Sequence, residues 1–240
     1  MQRMRNNRIQ HLYFVGIGGA GMSGIAEVLH ENGFKISGSD TGNGPVIQYL
    51  KSLGIQIFSE HKGENIGNAD LLVYSSAIQK DNPEIQEAQN RRIPIIRRAE
   101  MLGELMRLKY TLAIAGTHGK TTTTSLVGCI LEMAEVDPTI IVGGIVKGKG
   151  SGAKVGRGNY LVAESDEFDR SFLSMMPSSA IITNIDEDHL DTYADLQEIK
   201  EAFVEFSNKV PFYGQIIVCL DDANVQSVLS RLRKPVVTYG

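Results

Sequence analysis

Gly116-Thr117-His118-Gly119-Lys120-Thr121-Thr122 has the residue types and order that can hold a nucleotide's phosphates. The backbone N–H groups of a glycine loop entering a helix face the phosphates, a lysine adds a point charge, and a threonine hydroxyl reaches a metal ion. The general pattern GxxxxGK[ST] would need glycine at position 114, where Ile114 stands, so this is a shorter variant, GTxGKT. A Gly-Lys-Thr triplet alone is often a chance turn. Here an apolar run, Leu112-Ala113-Ile114-Ala115, precedes it, and Leu126, Ile130 and Ala134 follow at helical steps. Strand, loop and helix together argue for nucleotide binding by residues 116–122.

Gly16-Ile17-Gly18-Gly19-Ala20-Gly21 is a second glycine loop. Leu12-Tyr13-Phe14-Val15 reads as the strand before it, and Ile25 and Leu29 fall on the helix after it, which stops at Asn32-Gly33. A second strand, Lys35-Ile36-Ser37-Gly38-Ser39-Asp40, ends in an acid. By rule this is a dinucleotide-binding fingerprint, with glycines for close phosphate approach and the acid for a ribose. The plainer reading has the glycines only packing a helix on a strand. The motif does not say which diphosphate binds.

Carboxylates cluster downstream. Tyr160-Leu161-Val162-Ala163 reads as a strand that delivers Glu164 at its end, the place from which a carboxylate helps hold the magnesium bridging two phosphates. Asp166, Glu167 and Asp169 follow, and they read equally well as solvated surface. Ala180-Ile181-Ile182-Thr183 leads to Asn184 and then Asp188-His189, a pair that can bind a metal or a phosphate. The stripe Leu196, Ile199, Phe203, Phe206 and Val210 reads as core.

Short apolar runs that alternate with helical patterns must position these loops. Strands are expected at 11–15, 34–38, 55–58, 70–74, 94–96, 111–115, 139–142, 159–163, 180–183, 215–219 and 235–238. That is an α/β pattern with parallel sheets. Each phosphate loop needs its own sheet edge, so two nucleotide-binding units in series are expected. Their boundary is placed after a helix at 99–108, giving units 1–108 and 109–240. Residues 143–158, rich in Gly and Lys, read as a mobile loop or hairpin. The last residues read as a strand just completed, so the second unit is expected to be incomplete.

The 240 residues are 42% hydrophobic and 22% charged, ordinary for a soluble globular chain. A net charge of −4 gives no case for a nucleic-acid partner. Arg91, Arg92, Arg97 and Arg98 read as a solvated helix edge or an anion contact. Cys129 and Cys219 lack metal spacing, so a reduced, cytoplasmic protein is the default. No apolar signal core or membrane-spanning run is present.

These residues together resemble the Mur ligase family of peptidoglycan synthesis. The likeness is carried by residues 16–22, Ser37-Gly38-Ser39-Asp40, residues 115–122, Ala163-Glu164 with its acidic loop, and 183–193, and it covers nearly the whole chain. It implies a Rossmann-like domain that holds the UDP part of a UDP-sugar, through Gly16, Gly18, Gly19, Ala20, Gly21, Met22, Ser39, Asp40, Ser75 and Ser76. It implies a P-loop domain for ATP, with Lys120 neutralising phosphate charge, Asn184 positioning substrate or phosphate, and Thr121, Glu164 and His189 holding Mg2+. Histidine at 118 points to the alanine-adding branch, hence to UDP-N-acetylmuramate and L-alanine as substrates and amide-bond formation as the reaction. Some family members carry a carbamylated lysine where Phe203 stands, so no such role is assigned here. Two other readings stay open: an NAD-dependent oxidoreductase built on the first loop, and a nucleotide-binding module without catalysis.

Overall fold

The structure, a computed structural model, describes residues 9–19, 21–144, 151–168, 170–188 and 191–240. The chain divides into two compact units, 1–101 with 141–157, and 102–140 with 158–240. Both are α/β, as the alternating pattern predicts. Among the described residues no helix is long and apolar enough to cross a membrane.

In the first unit, β1 (His11–Val15), β2 (Lys35–Ser39), β3 (Gln56–Phe58), β4 (Leu71–Tyr74) and β5 (Ile95–Arg97) form one sheet in the order β3-β2-β1-β4-β5. Every neighbouring pair is parallel. Helices α1 (Met22–Glu31), α2 (Pro45–Ser52) and α3 (Pro83–Asn90) connect the strands. The strand order reverses at β1, between β2 and β4, and the first glycine loop leaves β1 at that switch point. Crevices for ligands form there, because neighbouring connections leave toward opposite faces of the sheet. Central β1 is buried on both faces from Leu12 to Val15, which explains a continuous apolar run without alternation. On one face Tyr13, Val15, Leu72 and Ile85 share a core with Ile66 and Ala88. Pro83 at the first helical position and Asn82 capping the Glu84 N–H fix where α3 begins.

The stretch 141–157 joins this first unit. There Ser151 donates a hydrogen bond to the buried Glu27 of α1, and Tyr49 of α2 donates a second at 2.8 Å. A two-residue strand, β8 (Ala153–Lys154), lies along α1. Sequence patterning leaves that strand unseen because it is too short to show a period. Part of the loop expected at 143–158 lies outside the described residues.

In the second unit, β6 (Tyr110–Ala115), β7 (Thr139–Ile141), β9 (Tyr160–Glu164), β10 (Ser179–Ile182), β11 (Ile216–Cys219) and β12 (Val236–Tyr239) follow the order β12-β11-β10-β6-β9-β7. The pairs from β12 to β9 are parallel. The chain enters this unit within α4 (Arg98–Met106). Helix α5 (Lys120–Met133) follows β6, and α6 (Leu196–Asn208) and α7 (Ala223–Val228) flank the strands further on. The stripe of α6 is core: Ile199, Phe203, Phe206 and Val210 are buried, and the Phe172 ring stacks on Phe206 at 4.9 Å. Truncating Phe206 to alanine would cost about 3–5 kcal/mol through lost burial and the cavity left behind. Asp195 caps α6 by accepting from the Glu198 N–H, and Glu198 accepts in turn from the Ala194 N–H. The helical period of α5 has another outcome, since Leu126 and Ile130 are exposed.

Candidate functional site

The first glycine loop is held by the strand beside it. The carbonyl of Ser39, the last residue of β2, accepts the Gly16 N–H at 2.8 Å and the Ile17 N–H at 3.0 Å. The Asp40 carboxylate accepts the Gly18 N–H at 2.8 Å, and its other oxygen accepts the Gly42 N–H at 2.8 Å. The sequence rule gives this acid to a ribose; the structure shows it bracing the loop. Asp40 also lines a cleft of about 190 Å³ with Thr41, Asn43, Lys51 and Phe58. Gly19 closes a turn on the Gly16 carbonyl, and the Met22 N–H turns back to Gly19. Gly21 caps α1 at φ +74°, a left-handed conformation that costs a side-chain-bearing residue about 1 kcal/mol or more.

Gly21 has a second reason to lack a side chain. A Cβ there would lie 2.8 Å from Nη1 of Arg98, at the start of α4. The guanidinium therefore brings positive charge to a loop that carries none of its own. Ser75 follows β4 and donates its N–H to the Val15 carbonyl, which places it beside the loop; Ser76 is exposed next to it. The Ser39 hydroxyl is fully buried and bonded to Glu84 and His61, so this residue meets the loop through its backbone. Ala20 lies outside the described residues.

The phosphate loop of the second unit is braced differently. It leaves β6 at Gly116, whose φ is +140° and where a Cβ would stand 2.0 Å from the Thr183 hydroxyl oxygen. Asn184, after β10, clamps the loop with its side-chain amide: its oxygen accepts the His118 N–H at 2.8 Å and its nitrogen donates to the His118 carbonyl at 3.0 Å. The Thr183 hydroxyl donates to the same carbonyl at 2.7 Å. The Thr117 hydroxyl accepts the Asp186 N–H at 2.9 Å. Gly119 caps α5 with open space where a Cβ would be, a cradle left free over the helix N-terminus.

The Lys120 ammonium donates to the Gly116 carbonyl at 2.7 Å and to the Thr117 carbonyl at 3.2 Å. It also spans both oxygens of Glu167, at 3.1 and 3.0 Å. Glu167 is 2% exposed, so the reading of it as solvated surface is overturned. Burial holds its carboxyl above the ordinary value, and the Lys120 ammonium opposes that shift. The Tyr193 hydroxyl, itself buried, donates to the Glu167 carbonyl and fixes this acidic turn.

Glu164 ends β9 in register with Ile114 of β6, one strand over from the phosphate loop. Thr121 and Thr122 sit exposed in the first turn of α5. The His118 ring lies 3.9 Å from the Asp186 carboxylate, both exposed. His189 and Asp169 lie outside the described residues. Among the described residues no group of three His, Cys, Asp or Glu gathers as a metal cage. Mg2+ takes one or two protein carboxylates and completes its shell with phosphate oxygens and water. Glu164 and the Thr121 hydroxyl are oxygen donors of the right kind for it.

Sequence reasoning did not give Glu167 and Arg98 specific roles. For Glu167 the available signal was its place three residues past a strand-end carboxylate. For Arg98 it was the basic cluster, where nothing local marks which arginine turns toward the loop.

Comparison with known proteins agrees with this geometry. The Mur ligase family catalytic domain matches residues 11–110, and the Mur ligase middle domain matches residues 114–240. The UDP-N-acetylmuramate–L-alanine ligase of Geobacter sp. (strain M21) is 56% identical over 233 residues, which is 97% of this chain and 50% of that protein. The ligase of the same name from Neisseria gonorrhoeae is 50% identical over 99% of this chain and 51% of its own length. The chain therefore spans about half the length of the curated relatives it matches. Among solved structures, the UDP-N-acetylmuramate–alanine ligase of Thermotoga maritima superposes with a TM-score of 0.82 at 33% identity, over 95% of this chain and 52% of that one. A UDP-N-acetylmuramate:L-alanyl-gamma-D-glutamyl-meso-diaminopimelate ligase from Neisseria meningitides gives 0.87 at 29% identity, over 97% of this chain and 78% of that one.

Proposed function

Because the chain belongs to the Mur ligase family, we propose that it carries the UDP-sugar-binding and ATP-binding parts of a cytoplasmic enzyme that joins L-alanine to UDP-N-acetylmuramate. The first unit supplies the UDP-sugar site and the second the ATP site. The observation that carries this reading is the pairing of two chemically different phosphate loops on one chain. One is uncharged and braced by Asp40; the other holds Lys120 against a buried carboxylate. An oxidoreductase needs only the first.

ATP with Mg2+ supplies an activated phosphoryl group and the charge that neutralises it. The lactyl carboxylate of the sugar attacks the γ-phosphorus, an O–P bond forms, and the bridge to ADP breaks. The amine of L-alanine then attacks the acyl carbon, loses a proton, and inorganic phosphate leaves. The chain's own residues serve this by position and charge. Lys120 turns from Glu167 toward the β- and γ-phosphates. Asn184 and Thr183 keep the loop open by holding the His118 backbone. Glu164 and Thr121 offer oxygens to the metal, with His189 as a further ligand. Arg98, beside Gly21, would face the diphosphate of the sugar nucleotide, and the cleft lined by Asp40 would take its nucleoside end. Phosphoryl transfer depends almost wholly on such positioning and charge neutralisation.

Calorimetric titration tests the assignment. The 240-residue chain is expected to bind UDP-N-acetylmuramate and MgATP at independent sites and to leave NADH unbound. Micromolar NADH affinity that UDP displaces would overturn it.

A further inference from the structure

Glu84 is a fully buried carboxylate that the proposed reaction does not use. It stands in the first turn of α3, where the helix N-terminus favours negative charge. One of its oxygens accepts the Tyr13 hydroxyl at 2.6 Å and the Asn65 amide at 3.3 Å. The other accepts the Ser39 hydroxyl at 2.7 Å and meets His61 Nδ1 at 2.8 Å. Burial and the hydrogen bond to Glu84 push the Tyr13 phenol's pKa up, so it stays protonated and donates.

Burying a carboxylate costs several kcal/mol, and an apolar side chain of similar size could fill this space without that cost. A catalytic relay does not explain it. The Ser39 hydroxyl lies 3.0 Å from His61 Nδ1, the same ring nitrogen that Glu84 meets, whereas a serine–histidine–acid relay needs one nitrogen for each partner. The arrangement instead points along Ser39. Its side chain is held by Glu84, and its carbonyl carries the Gly16 and Ile17 N–H groups, the first two of the glycine loop. The next residue, Asp40, carries the third, Gly18.

We infer that Glu84 is a positioning residue for the diphosphate loop, acting through Ser39 to fix the carbonyl on which that loop hangs. The inference rests on the reading of residues 16–21 as the sugar-nucleotide site. Two readouts on the 240-residue chain test it: UDP affinity by calorimetry, and amide hydrogen exchange at Gly16 and Ile17 by NMR. Glu84→Gln puts an N–H₂ group against hydrogen-bond donors. It is expected to weaken UDP binding about tenfold and to speed exchange at both amides about tenfold relative to Leu72, with MgADP affinity unchanged within about twofold. Asn65→Ala removes a donor to the carboxylate oxygen that does not meet Ser39. It is the stability control, expected to leave UDP affinity and loop exchange within about twofold of the parent chain. Ser39→Ala should reproduce the Glu84→Gln loss and add nothing to it in the double variant. If Glu84→Gln and Asn65→Ala shift both readouts alike, or if exchange at Gly16 and Ile17 is unmoved, the inference is wrong. A parent chain that binds no UDP removes the site assignment alone, and the exchange measurement still decides the role of Glu84.

Discussion

The two glycine loops share a frame of strand, turn and helix, yet they are held and charged in different ways. The first hangs by its own amides from β2 and Asp40, carries no charge, and receives a guanidinium from α4. The second is clamped through a neighbouring asparagine and carries a lysine whose ammonium is already engaged by Glu167. A loop whose amides are fixed by backbone and carboxylate suits a ligand that binds and leaves unchanged. A loop with an internal ion pair suits a ligand whose charge must be received, moved and released.

The largest expected effect breaks the second loop alone. Lys120→Ala should weaken MgATP binding by at least about 100-fold, since a cation aimed at transferring phosphates supplies ~3 kcal/mol or more. UDP binding should stay at its parent value. Loss of both by calorimetry in a folded variant would show that the loops are not separate sites.

Arg98→Gln tests the charge lent to the first loop. UDP affinity should fall by at least about tenfold while uridine affinity holds, because one charge-assisted contact to a phosphate is worth ~1.5–3 kcal/mol. Equal losses for UDP and uridine would place Arg98 away from the diphosphate.

Glu167→Gln tests the internal ion pair of the second loop. With the carboxylate neutral, Lys120 is free to pair with an incoming anion, and metal-free ADP should bind about threefold to tenfold more tightly. Weaker binding would mean that Glu167 holds the lysine in its working position.

The smallest effect sets a baseline remote from both loops. The Gln10 and His11 N–H groups hold the Asp70 carboxyl below its ordinary 3.8. Its contribution is therefore present above pH 3.8 and is lost as pH falls through the lower folded value. Asp70→Asn should cost no more than about 1 kcal/mol at pH 7, because solvent screens the group. The difference in melting temperature from the parent chain should close in acid, and neither ligand affinity should move.

Much of this was legible in the residues. Gly116 to Thr122 and Gly16 to Gly21 announce themselves because a phosphate cradle needs glycine at fixed offsets between a buried strand and a helix. Strands β1, β6 and β10 read clearly because a parallel strand covered on both faces is a continuous apolar run. Lys120 beside a loop and Glu164 at a strand end follow from type and place. The stripe of α6 was core as its period requires, whereas the period of α5 could not tell which side its apolar residues would face.

Sequence by itself thus determined the two loops, their order, the α/β class and the family, since all are carried by local pattern. Tertiary structure alone decided which charges meet. It paired Lys120 with Glu167 across 47 positions, set Asn184 on the His118 backbone across 66, and gathered Tyr13, Ser39 and Glu84 in one buried cluster. It also placed residues 141–157 with the first unit although they follow the second loop in the chain. The physical reason is the same in each case. Hydrogen bonds and ion pairs between distant residues depend on sheet order and register, and no local period encodes either one.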